Sequence, residues 1–421
     1  MEGPPRLIVP TRLASALKPF GTCFASPRTR RHLAILVAGF LSTLPRKSAR
    51  AIAQAFGVMP RTLERFLSSS RWDPAMLRDG LQRSIAREDC HSVPIALMVD
   101  AQIPKQRGQN PATHWLRDEA RSRRARGIST VQLGYSCGNR VGFLDGDVYV
   151  PKCGGLYAEG LEGYGLPPYR PRWEIALEQL DIARGNGLIP DWITCGKAYL
   201  ESRDFFDGLA ARGQRMLGNF PSTVRSWILD PGGVEGREKL SYERFMEFVQ
   251  ESPLEAYSWA HSLGHQLDNH PALRFQWWET CRVEDGNGTM QDWSVGRVPC
   301  VLMGTRHWIG PLELVVYRPA TTWFGAHFTV TTDASATSES IVDAAERTRR
   351  AAWELDAMWT GLGMGHFSGR SYSGQRRHWA LGAVASWLRP LVPRKGKTIE
   401  IPVPVRYRFS SACVPTPDPS S

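Results

Sequence analysis

The chain has 421 residues, 42% of them apolar, a formal net charge of +11 and an isoelectric point near 9.4. That length exceeds one simple core, so two or three domains are expected, and no apolar run is long enough to span a membrane. The positive balance points to a polyanionic partner without saying which one.

Residues 1–27 are Pro-rich and read as a flexible N-terminus. The apolar segment 32–44 is flanked by Arg28, Arg30, Arg31, Arg46 and Lys47 and runs into further helical sequence. It therefore does not read as a cleaved signal peptide. Residues 28–92 carry a helical pattern throughout. A helix over 48–56, a stop at Gly57 and a helix over 60–67 place Ile52, Ala55, Phe56, Leu63, Phe66 and Leu67 where two short helices pack. With Arg61 and Arg65 on the second member, this is a helix-turn-helix pattern and a candidate DNA-binding domain.

After Val93 the period changes. Strands are expected at 94–99, 129–136 and 143–150, then a helix over 172–184, a strand at 191–195, a helix over 201–212 and a strand at 214–219. The first three strands suit antiparallel neighbours. Residues 93–220 thus form the first part of an α/β core, a mixed sheet flanked by helices. Aromatic runs and turn-rich stretches mark 221–332 as a strand-rich insertion. A long helix over 338–359, a Gly-rich loop over 361–374 and a helix over 377–388 close the core within 333–392. Residues 393–421 read as a basic, then disordered, tail.

The chemistry begins at Asp100, which ends the apolar run 94–99. A carboxylate at the tip of a buried strand is costly unless it is paired or holds a cation. The eight cysteines contain no Cys-x-x-Cys pair, so neither a zinc knuckle nor a disulfide framework is expected, and a reducing cytoplasm fits. His261, His265 and His270 have a ligand-like spacing but read as surface or core positions. Arginine-rich clusters recur along the chain, at 28–31, 46–50, 117–126, 347–350, 376–377 and 394–397. Tryptophan or tyrosine near several of them favours nucleic acid.

The order of elements and several strings resemble the DDE transposases of bacterial insertion sequences over residues 28–390. The strings are Arg46-Lys47, Arg71-Trp-Asp-Pro74, Val99-Asp100 with Pro104-Lys105, Asp147-Val-Tyr-Val-Pro-Lys152, Trp173-Glu-Ile-Ala-Leu-Glu178, Gly365-His-Phe-Ser-Gly-Arg-Ser371 and His378-Trp-Ala-Leu381. The resemblance implies an RNase H-like core in which three carboxylates hold two magnesium (or manganese) ions that cut and join DNA. Asp100 matches the first carboxylate. The second, in an Asp-x-x-Tyr string, falls on Gly196 of Gly196-Lys-Ala-Tyr199. The third falls on Ala352 when counted without gaps, or on Glu354 if the arginine four residues before it (Arg350) sets the frame. Asp356, one turn after Ala352, is a weaker substitute. Asp145 and Asp147 stand on a distant strand, and Glu201 and Asp204 open a helix, where carboxylates are favoured anyway. Without metal, Asp100 is expected to form an ion pair, with Lys105 or Lys197 as partners.

The leading expectation is therefore a transposase-derived protein, cytoplasmic and nucleoid-associated, that binds double-stranded DNA and has lost DDE cleavage. Arg46, Lys47, Arg50, Arg61, Arg65, Arg121, Arg123, Arg124, Arg126, Arg376 and Arg377 are its candidate DNA contacts. The alternative is an active magnesium-dependent transposase or nuclease using Asp100, Glu354 and an unidentified third ligand. A second alternative is a protein-interaction scaffold acting through 221–332. A homodimer fits the resemblance, and no membrane partner is expected.

Overall fold

The computed structural model describes residues 9–88, 92–104, 112–118, 123–151, 166–196, 198–199, 202–229, 241–270, 273, 278–284, 289–304, 307–322, 325–369 and 371–391. In chain order, α1 (Thr11–Ala16) leads to α2 (Pro27–Leu41), which starts with a capping box between Ser26 and Thr29. Helix α3 (Ala49–Ala55) is capped by Ser48, and α4 (Pro60–Ser68) follows a turn in which Gly57 takes φ 66°, a conformation that favours glycine. Asp73 caps α5 (Pro74–Ala86) through the Ala75 amide.

Next come β1 (Ile95–Pro104), β2 (His114–Asp118), β3 (Arg123–Cys137), β4 (Arg140–Tyr149), α6 (Arg172–Gly185), β5 (Trp192–Thr194), α7 (Arg203–Ala211) and β6 (Arg215–Phe220). Between 221 and 332 lie β7 (Arg225–Ile228), α8 (Tyr242–Glu251), α9 (Pro253–Trp259), β8 (His261–Ser262), α10 (Leu263–Asn269), β9 (Glu279–Glu284), β10 (Met290–Met303), β11 (Trp308–Pro319) and β12 (His327–Thr331). Helices α11 (Ser338–Gly361) and α12 (Tyr372–Leu388) follow. Helix α1, strand β2 and helices α8 to α10 were not anticipated from sequence, and Leu13, Phe20 and Phe24 are buried where 1–27 reads as flexible. The apolar runs of these elements are too short to set a period of their own.

The chain divides into two compact units. Among the described residues, the first spans 9–94, 100–189 and 353–391, and the second spans 95–99 and 190–352. Strand β1 and helix α11 each give residues to both.

In the first unit, Leu33, Phe40, Ile52, Leu63, Phe66 and Trp72 are buried among α2 to α5. The Phe66 and Trp72 rings stack at 5.2 Å, and the Trp72 indole donates to the Phe66 carbonyl. Strands β3 and β4 pair antiparallel from Ser129 opposite Tyr149 to Cys137 opposite Arg140. Helix α12 covers β4: the Trp387 indole donates to the Phe143 carbonyl at 2.9 Å, and the Phe143 amide donates to Ser386 Oγ. Cys137 is disulfide-bonded, which corrects the expectation of no disulfide. A search for close Cys-x-x-Cys pairs is blind to cysteines joined across sequence distance. Cys23, Cys195, Cys281 and Cys300 are free.

In the second unit, Ile95–Leu97 of β1 pair parallel with Trp192–Thr194 of β5, which pair parallel with Arg215–Leu217 of β6. The hydrogen-bonded order then runs antiparallel through β12, β11, β10, β7 and β8, with β9 also on β10. Phe220, Val298, Leu302, Leu314, Val316 and Val330 form one core of this layer. The early α11 residues lie over it, where Asn219 Nδ2 donates to the Ala345 carbonyl. Mixed strands flanked by helices, with an antiparallel β3–β4 hairpin followed by parallel β5 and β6, are the pattern of an RNase H-like fold.

Candidate active site and nucleic-acid interface

Asp100 lies at the point where β1 passes into the first unit. Its side chain is 7% exposed, and Arg172 Nη1 donates to its Oδ2 at 2.7 Å. Arg172 is the first residue of α6, and its guanidinium lies 4.5 Å from the centre of the Tyr149 ring. The expected partners, Lys105 and Lys197, lie outside the described residues. Sequence reasoning missed Arg172, yet a signal was present. A cation at a helix N-terminus opposes the helix dipole, so it asks for a dedicated carboxylate elsewhere.

Asp145 and Asp147 point into a second ionic cluster of the first unit. Arg78 and Arg376 approach Asp145 at 3.2 and 3.5 Å, while Arg170 and Arg376 approach Asp147 at 2.8 and 3.3 Å. The Tyr372 hydroxyl also donates to Asp147, and burial together with that carboxylate raises the pKa of the phenol. Both aspartates are neutralised by arginine. Asp204 sits in the first turn of α7, as a helix-opening residue should, and Glu201 lies outside the described residues.

The other two carboxylate positions belong to the second unit. The β1–β5 register, with Leu97 beside Thr194, sets Gly196 level with Val99. Helix α11 is continuous from Ser338 to Gly361. Its Ala352 lines a cavity of about 20 Å³ together with Leu97, Val99, Thr194, Cys195, Asn219 and Thr348. The ungapped third position therefore faces the strand ends with a methyl group. Glu354, two residues on, lies about 200° around the helix from Ala352, so it does not share that face.

Asp356 is the carboxylate on the helical turn after Ala352. Burial raises its pKa from 3.8 to about 6. The folded chain therefore holds this proton more tightly than the unfolded chain. Protonation favours folding, and that advantage is lost as pH rises from about 4 to about 6. Asp356→Asn is expected to melt above the parent at pH 7 and to match it below about pH 4. Thermal melts across this range check it, and equal melting temperatures at pH 7 would contradict it.

A magnesium pair needs several converging oxygen ligands. Asp100 is already bridged to arginine, Gly196 and Ala352 carry no ligand, and no three His, Cys, Asp or Glu side chains among the described residues converge on a common point. The described residues do not fit such a pair.

The candidate DNA contacts divide sharply. Arg46, Arg50, Arg61 and Arg65 are exposed around α3 and α4, and Arg126 is exposed on β3. Arg123 and Arg124 lie on β3, while Arg121 is outside the described residues. Three of the candidates face inward instead. Lys47 is buried, its ammonium donates to the carbonyls of Phe40 and Gly361, and burial lowers its pKa to about 8. It satisfies carbonyls at the ends of α2 and α11, a role short basic strings do not reveal. Arg376 is held by Asp145 and Asp147, and Arg377 donates to the carbonyls of Leu67 and Trp72 while lying over the Trp72 ring. His261 and His265 are exposed, with ring centres 4.3 Å apart.

A family described as DDE superfamily endonuclease matches residues 19–282 of the chain. None of the curated proteins compared with the chain matches it.

Proposed function

The chain belongs to the DDE superfamily of endonucleases, and we propose that it is a transposase-derived protein that binds duplex DNA and has lost DDE cleavage. The observation that carries this reading is the Asp100–Arg172 pair: the carboxylate that would anchor the metals is engaged by a guanidinium. Glycine and alanine at the second and third positions support it. The α3–α4 pair, with Arg46, Arg50, Arg61 and Arg65 exposed around it, serves as a helix-turn-helix DNA surface.

Contacts of this kind release counterions, so duplex affinity falls steeply with salt, by about 0.9 log units per log unit of salt for each phosphate contacted. Arg61→Ala and Arg65→Ala are each expected to reduce that slope by about 1 while the fold is retained. Anisotropy titrations of a duplex from about 50 to 200 mM salt test this. Affinity that stays flat across the range would remove the DNA-binding reading.

A working magnesium-dependent nuclease is the competing reading. It draws on Asp356, a half-buried carboxyl that keeps its proton to about pH 6 and lies one turn beyond Ala352. It requires Asp100 to exchange Arg172 for a metal, and nicking that depends on Asp100 is its signature.

A further inference from the structure

Strands β2 and β3 form an antiparallel ribbon in the first unit, with Trp115 opposite Arg126, Leu116 opposite Ala125 and Arg117 opposite Arg124. Alternation gives this ribbon two different sides. On one side Leu116 is buried, and a Cβ added at Gly127 would come within 2.3 Å of its side chain and 2.6 Å of the Ile103 carbonyl oxygen. His114 shares that side and lies 3.1 Å from Ser129 Oγ through its Nε2. Trp115 falls between these two residues and so takes the other side, where it is 65% exposed. Its cross-strand partner Arg126 is also exposed.

A large aromatic plane next to exposed arginine is poorly matched to intact duplex, because paired bases hide their faces in the stack. It is well matched to bases that have left the stack. An aromatic ring offers every base the same π-face, and arginine takes the adjoining phosphate. An exposed arginine directly across from the ring favours a polyanion over an apolar protein partner.

We propose that the outer face of the β2–β3 ribbon binds unpaired DNA bases, with Trp115 as the stacking platform and Arg126 as a phosphate contact. This rests on the DNA-binding reading above and adds a second substrate form, single-stranded or frayed DNA, at a surface separate from α3 and α4. Because Trp115 is exposed and the core side of the ribbon is formed by other residues, its replacement leaves the fold intact.

The test compares the full chain with its Trp115→Ala and Trp115→Phe variants on an oligo-dT of about 15 nucleotides and on a blunt duplex of equal length at one salt concentration. Trp115→Ala is expected to weaken oligo-dT binding about 5- to 100-fold and duplex binding less than about twofold, with Trp115→Phe retaining most of the affinity. Unchanged oligo-dT binding in Trp115→Ala overturns the inference and leaves the duplex reading standing. Equal losses on both substrates overturn it as well, since Trp115 would then serve the duplex surface. A parent chain that binds neither DNA removes both readings.

Discussion

Arg172→Met is expected to lower the unfolding free energy by about 2–4 kcal/mol, because it removes a guanidinium paired with a buried carboxylate. The figure is kept below the fully buried limit because the Arg172 side chain is 27% exposed. Asp100→Asn should cost only about 1 kcal/mol, since a neutral amide oxygen still accepts from the guanidinium while the charge is lost. The contrast between the two variants separates an ion pair from a vacant metal ligand. A carboxylate kept for metal would repel its neighbours in the metal-free chain, and Asp100→Asn would then stabilise it. Urea unfolding in chelator, with both variants beside the parent, checks the ordering. A neutral Arg172→Met would contradict the pairing.

Arg376→Met is expected to be at least as damaging, at about 3–5 kcal/mol, and to yield little folded protein. Asp145 and Asp147 share one face of β4, and their side chains are each 8% exposed. Removing the guanidinium that approaches both leaves two like charges to Arg78, Arg170, the Tyr372 hydroxyl and the Gly146 and Val148 amides. It also removes the donor to the Gly146 carbonyl. Adding Asp145→Asn to Arg376→Met should recover part of the loss, as measured by melting temperature and soluble yield. A well-folded Arg376→Met chain with weakened DNA binding would instead make Arg376 a surface contact.

The two arginines show what the sequence does and does not disclose. Local rules suffice for α3, α4 and α5, because Ser48, Gly57 and Asp73 are caps and stops whose effect depends on the next few residues only. The strands around 95–99, 129–136 and 143–149 are equally readable, since their apolar runs are long and bounded. Strand β2 is not: His114–Asp118 alternates weakly and sits among arginines, so its strand character comes from pairing with β3. Arg376 and Arg377 look like a basic surface pair on the page of residues. Their burial depends on carboxylates and carbonyls more than 200 positions away. For the candidate site, Asp100 and the empty second position at Gly196 were legible from motif spacing. Its neutralising partner was not, because the Asp100–Arg172 contact spans 72 residues. Assigning the third position to Ala352 or Glu354 turns on the face of α11, which a string match does not carry.

The most direct test is nicking of supercoiled DNA in magnesium by the parent chain and by Asp100→Ala, at a salt concentration where both bind DNA. The account predicts no cleavage by the parent above that of the variant. Magnesium-dependent nicking by the parent that Asp100→Ala abolishes would contradict it, and would mean that Asp100 releases Arg172 to hold a metal.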